Sequence, residues 1–196
     1  MIKAVLFDWS GTLYSDYEEV LFALKRFPFS PQFSRKFFFH PFIKPMRYFF
    51  SSLDIRFPTF FEKNYSLEQS ESKLVESTAE IMKFLKERGI LIGIFSTQSE
   101  KLIRRVIENS RINRYIDYIE GGVFNKVPRI KSFIKKHGLA KDEVLYLSDL
   151  YEDLKEVKEL GVRVCAVLWG YDKKERLKLS NPDSIIARLE ELKSLV

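Results

Sequence analysis

Two apolar runs in this chain each drive straight into acid. The first, Ile2-Lys3-Ala4-Val5-Leu6-Phe7, ends at Asp8 and opens into Trp9-Ser10-Gly11-Thr12. The second, Val144-Leu145-Tyr146-Leu147, ends at Ser148-Asp149 and continues to Asp153. Short, nearly continuous apolar runs are the pattern of strands buried on both faces. A core strand that ends in a carboxylate needs solvent, a cation or a partner for that charge. If both strands lie in one parallel sheet, both acids reach its carboxyl edge, where open α/β sheets bind ligands.

The rest of the chain supports such a sheet. After residue 71 the pattern alternates between helical and strand periodicity. Residues 71–88 read as an amphipathic helix with Leu74, Val75, Thr78, Ile81, Met82 and Leu85 inward, stopped by Gly89. Strands are expected at 90–95, 117–119, 144–147 and 162–168. Helices are expected at 99–109, 128–137, 150–160 and 182–195. The fold class that follows is α/β, a doubly wound parallel sheet covered by helices on both faces.

Residues 27–61 break this rhythm. Five prolines interrupt them, and they hold 12 of the 18 phenylalanines. Between residues 25 and 56 stand seven basic residues and one acid, Asp54, enough to supply the whole net charge of +6. The segment reads as an insert that packs its rings inward. Its charge would draw an anionic small-molecule substrate toward Asp8; the nucleic-acid alternative is the weaker fit. His40, within the insert, and His137, near a helix end, match no motif.

The lone cysteine, Cys165, sits in an apolar run and reads as a buried thiol; one cysteine excludes an intrachain disulfide. No stretch reaches the ~18 apolar residues of a membrane span. No basic region followed by a cleavable apolar region opens the chain, so a cytoplasmic location is expected.

Four positions then carry candidate chemistry. Asp8 is a carboxylate able to attack phosphorus and form an acyl phosphate. Ser96 and Thr97 follow a third apolar run, where hydroxyls and backbone N–H groups suit phosphate oxygens. Lys126 precedes Pro128 at a helix start and suits neutralising charge on a phosphate. Asp149 and Asp153 flank a strand-to-helix turn and suit a hard cation such as Mg²⁺. Taken singly, each has a plainer reading as a turn, a cap or a solvated side chain.

Together, in this order, they resemble the haloacid dehalogenase-like superfamily. Asp8-Trp9-Ser10-Gly11-Thr12 is similar to its first motif, Asp-x-Asp-Gly-Thr, except at the third position. Ser96 resembles its second motif. Lys126 resembles its third, with Arg129 as the alternative, and Ser148-Asp149 through Asp153 its fourth. The resemblance implies a core of residues 1–14 and 72–196, with 15–71 as a helical cap inserted after the first strand. It implies an Mg²⁺-dependent phosphatase-type hydrolase acting through an aspartyl phosphate. Asp8, Ser10 through its carbonyl, Asp149 and Asp153 would hold the metal. Ser96, Thr97 and Lys126 would hold the phosphate.

The departure at Ser10 matters. Most phosphatases of this family have an aspartate there as acid and base, and general acid–base help is worth about 10² to 10⁴ in rate. A serine implies slow turnover, or a leaving group of low pKa that needs little protonation. The alternatives are a phosphonate-cleaving relative that uses a cap lysine (Lys25, Lys36 or Lys44), a dehalogenase-like relative, or a weakly catalytic binding protein. The Asp149 and Asp153 pair argues against dehalogenation.

Overall fold

The computed structural model describes residues 1–16, 74–123 and 125–196. The chain divides into two units, Met1–Ser15 with Lys73–Val196, and Asp16–Ser72. The aromatic insert, His40 and the lysines Lys25, Lys36 and Lys44 lie outside the described residues, as does, beyond Asp16, the helix that the spacing of Val20, Leu21 and Leu24 predicts over 15–25.

The first unit is built on six parallel strands. They are β1 (Ala4–Phe7), β2 (Leu91–Phe95), β3 (Tyr118–Glu120), β4 (Val144–Ser148), β5 (Arg163–Val167) and β6 (Ser184–Ile186), in the spatial order β3-β2-β1-β4-β5-β6. Helices α1 (Thr78–Glu87), α2 (Glu100–Asn109), α3 (Lys126–Lys136), α4 (Tyr151–Lys158) and α5 (Lys174–Lys178) lie between successive strands. From β1 the chain winds outward through β2 to β3, then returns to the other side of β1 as β4. That reversal makes β1 and β4 neighbours, with Ala4 beside Val144 and Phe7 beside Leu147. Their carboxyl ends form the topological switch point, where doubly wound sheets bind ligands.

Strand alternation explains the two-sided core. Ala4, Leu6, Val144, Tyr146, Val164 and Ala166 pack with Ile130, Phe133 and Ile134 of α3, Leu154 and Val157 of α4, and Leu177 of α5. Val5, Phe7, Leu145, Leu147, Cys165 and Val167 take the alternate positions and are equally buried. Cys165 is therefore a core thiol, its pKa pushed up to about 11, chiefly by burial.

Three expectations are corrected. The first helix begins at Thr78 rather than 71, because Ser77 takes a left-handed conformation (φ 64°) and Leu74 instead bridges to Tyr14. The helix expected at 182–195 is strand β6 followed by a 3₁₀ helix, Leu189–Ser194. The open edge of β5 takes Ser184–Ile186 into the ladder, and Asp183 fixes the register by accepting from the Val164 N–H at 2.8 Å. Tertiary hydrogen bonding outweighs local propensity here. Leu189 and Leu192 are buried three residues apart, which suits a 3₁₀ turn as well as an α-helix. Helix α5 was not expected, since its five residues bury only Leu177 and show no stripe.

Phe133 sits edge-on to Phe95 at 6.0 Å between ring centres and is 2% exposed. Phe133→Ala is expected to cost about 3–5 kcal/mol of stability, read from the urea midpoint at unchanged slope.

Candidate active site

Asp8 follows β1 directly, and its N–H still donates into the sheet, to the Leu147 carbonyl at 2.9 Å. The side chain is 4% exposed. Its Oδ1 lies 2.6 Å from the Lys126 ammonium and accepts from the Trp9 N–H at 2.7 Å. Its Oδ2 accepts from the Ser148 hydroxyl at 3.3 Å. Burial pushes the carboxyl up to about pKa 6, against the pull of Lys126.

Lys126 is the first residue of α3, behind an Asn125 side chain that caps the helix by accepting from the Val127 N–H. Its ammonium is 2.6 Å from Asp8, 2.5 Å from Asp153 Oδ2 and 3.1 Å from the Tyr146 hydroxyl. Three partners match the three N–H donors of an ammonium. Burial alone would lower its pKa; Asp153 and then Asp8 outweigh that and hold it well above the usual lysine value. Arg129 turns away to Glu120 at 3.2 Å and is largely exposed.

Asp149 follows β4 directly, near Asp8 at the end of the neighbouring β1, and is fully buried. Thr12 donates to its Oδ1 at 2.9 Å and the Tyr171 N–H to its Oδ2 at 2.7 Å. Two glycines wall it in. A Cβ on Gly170 would lie 2.1 Å from the Asp149 Cβ, and one on Gly11, which also has φ 76°, would lie 2.2 Å from Oδ2. No side chain fits either place, so the Ser-Gly-Thr turn and the Trp-Gly turn both serve the seating of one carboxylate. Burial, and next the charge of Asp8, raise the Asp149 pKa well above the carboxylate range.

The turn after β5 completes this wall. The Trp169 indole donates to the Thr12 carbonyl at 2.9 Å. Asp172 accepts from the Tyr151 N–H at 2.8 Å and pairs with Arg176, which also holds Glu152. Ser96 is buried at the end of β2 with its Oγ accepting from the Gln98 N–H, whereas Thr97 beside it is exposed. Ser10 is half-buried on the turn after Asp8.

The structure thus gathers Asp8 and Asp153 on Lys126 and sets Asp149 just past the end of β4, the strand paired with β1. Reading the sequence missed Tyr146, Thr12 and the Tyr171 N–H. Tyr146 looked like one more apolar strand residue, and only its alternation toward α3 and α4 could have marked it.

These four charged groups, three carboxylates and one ammonium, are each at least nine-tenths buried. The excess of two negative charges is what one divalent cation would cancel. Among the described residues no three acidic, histidine or cysteine side chains form a cation cage by themselves. A pair of carboxylates joined by main-chain oxygen and water is a donor set of the kind that suits Mg²⁺.

Fold and site together define a doubly wound α/β architecture with a buried acidic site at its switch point. The chain belongs to the haloacid dehalogenase-like hydrolases, whose family model matches residues 4–167. It is similar to pyrophosphatase PpaX of Bacillus pumilus, 24% identical over an alignment of 212 residues covering 100% of this chain and 96% of that protein. It is also similar to phosphoglycolate phosphatase 1 of Pseudomonas aeruginosa, 22% identical over 139 residues, 67% of this chain and 50% of the relative. The chain spans about half the length of the phosphoglycolate phosphatases it matches. A haloacid dehalogenase-like hydrolase from Streptococcus pneumoniae superposes with a TM-score of 0.76 at 20% identity, covering 100% and 99% of the two chains, which speaks for the fold.

Two outcomes test the buried charge cluster. Lys126→Met leaves two buried carboxylates without their counter-charge and is expected to cost about 3–5 kcal/mol, measured by urea unfolding at pH 7. Asp8 gives up its proton near 3.8 when unfolded and near 6 when folded, so the folded state binds more protons between those values. Its contribution to stability is full below about pH 4 and is lost as pH rises through 6. Asp8→Asn, which cannot titrate, is therefore expected to gain stability relative to wild type between pH 4 and pH 7 in metal-free buffer.

Proposed function

We propose that this protein is an Mg²⁺-dependent hydrolase of a phosphorylated small molecule, acting through a phosphoryl group carried on Asp8. The observation that carries the reading is the buried cluster at the switch point, a carboxylate held against one ammonium amid an excess of negative charge. Membership of the hydrolase family and likeness to a pyrophosphatase and to phosphoglycolate phosphatases support it.

Asp8 is the nucleophile in this reading. The ammonium of Lys126, fixed by Asp153 and Tyr146, offsets charge on Asp8 and on the incoming phosphate, preorganised before substrate arrives. Ser96 and Thr97 offer hydroxyl and main-chain donors to phosphate oxygens at the end of β2. Asp8, Asp149 and the Ser10 carbonyl would hold Mg²⁺, with Asp153 completing the acidic set and fixing Lys126. When bound, the ion supplies the positive charge that lets Asp8 and a phosphate share one pocket. Thr12 and the Tyr171 N–H keep Asp149 aimed.

The same proposal takes residues 1–14 and 72–196 as the catalytic core and 15–71 as a cap. The seven basic residues of that segment favour an anionic substrate. Among the described residues no helix is long and apolar enough to cross a membrane; the proposed setting is the cytoplasm. Turnover is slow, because Ser10 stands where related phosphatases carry an acid–base aspartate.

Phosphate release from p-nitrophenyl phosphate is the test. Wild type is expected to need Mg²⁺, and Asp8→Asn and Asp149→Asn to lose at least about 10²-fold of its rate, on the scale of losing a preorganised charge interaction. Equal rates for wild type and Asp8→Asn would take Asp8 out of the chemistry.

A further inference from the structure

We infer that this site takes phosphoryl donors whose leaving oxygen departs as a stable anion, an acyl phosphate or a phosphoanhydride, in preference to alkyl phosphate esters. The inference rests on the hydrolase reading above and narrows its substrate class. It comes from asking which group on the page could protonate a departing oxygen.

Among the described residues, the carboxylates at the carboxyl edge are committed. Asp149 is fully buried, with one oxygen accepting from Thr12 and the other from the Tyr171 N–H. Asp153 is spent on Lys126. Asp172 holds the Tyr151 N–H and Arg176, and Glu152 is on the same arginine. Glu120 accepts from the Tyr118 hydroxyl and pairs with Arg129. Lys126 has protons but holds two buried carboxylates with them. Giving one up would strand both charges in a water-poor site.

What remains beside Asp8 on its own turn is Ser10, half-buried and followed by Gly11 and Thr12. A serine hydroxyl is too weak an acid to hand over a proton near pH 7. Asp16, the next acid along the chain, is itself buried and makes interactions of its own.

With the groups of the described residues, the reaction then balances only with a leaving group that keeps the electron pair unaided. An Asp8 oxygen forms a bond to phosphorus while the bond from phosphorus to the leaving oxygen breaks. The pair goes to that oxygen, which leaves as carboxylate or phosphate with no proton supplied. Water then attacks the aspartyl phosphate, releases inorganic phosphate, returns the Asp8 carboxylate and sheds its proton to solvent. An alkyl phosphate would have to expel an alkoxide in the first step, and nothing named above protonates it.

The test varies leaving-group acidity at nearly constant shape. With Mg²⁺ present, kcat/KM is measured for p-nitrophenyl phosphate and phenyl phosphate, with acetyl phosphate and glycerol 3-phosphate as the extremes. Wild type is expected to favour p-nitrophenyl over phenyl phosphate by at least about 10²-fold, the lower end of what a positioned acid supplies. It is expected to favour acetyl phosphate over glycerol 3-phosphate by more. Ser10→Asp is expected to bring the aryl pair within about tenfold. Asp16→Asn is expected to leave the wild-type ratio unchanged. Wild-type ratios within tenfold for both pairs, or a ratio that steepens only on Asp16→Asn, would overturn the inference while leaving the hydrolase reading intact. The wild-type ratios decide the matter even where Ser10→Asp fails to fold. No Mg²⁺-dependent phosphate from any of the four probes would instead remove the reading beneath it.

Discussion

The buried ammonium of Lys126 is the interaction on which the rest of this site depends. It touches Asp8 at 2.6 Å and Asp153 at 2.5 Å, and these contacts tie α3 to the carboxyl end of β1 and to α4. A charge pair taken out of water repays its desolvation only with near-complete hydrogen bonding. Here the third donor has a partner as well, the Tyr146 hydroxyl rising from β4. One side chain thereby locks three elements on the same face of the sheet and fixes the position of the carboxylate proposed to react.

The electrostatics leave that lock incomplete. Lys126 satisfies one of the three acidic charges formally, and Asp149 stands apart on hydrogen-bond donors that carry no net charge. Burial raises both Asp8 and Asp149, so without added positive charge the folded protein favours protons there. A region this unbalanced is a poor contributor to stability and a good receptor for a cation. The strained requirements of function and the comfort of the fold part company at this place, as they do at many active sites.

Much of this was legible before any coordinates. The two apolar runs ending in acid located β1 and β4, and the parallel sheet followed from alternation with helices. Pro128 located α3 with its start two residues late, so that Lys126, expected just before the helix, is its first residue. Illegible features were those set by contacts distant in sequence. Residues 184–186 carry no stronger strand signal than helix signal, and the open edge of β5 decided the matter. Tyr146 is indistinguishable by pattern from Leu145 and Leu147, although its hydroxyl is the polar atom that completes the lysine's shell. Asp153 reads in sequence as an acid spaced for a cation, and its contacts with Lys126 and the Tyr146 hydroxyl were not legible, because they depend on the first turn of α4 facing the first turn of α3.

The turn after β5 has a consequence for where this protein's working part ends. The family match stops at residue 167, but Trp169 braces Thr12, Gly170 makes room for Asp149, the Tyr171 N–H binds it and Asp172 caps α4. A chain shortened at Val167 would keep every side chain proposed for chemistry and lose the back of the seat that holds one of them. The support of the candidate site thus extends past the matched residues, into a stretch that acts through the Trp169 and Asp172 side chains, the Tyr171 N–H and the bare Gly170.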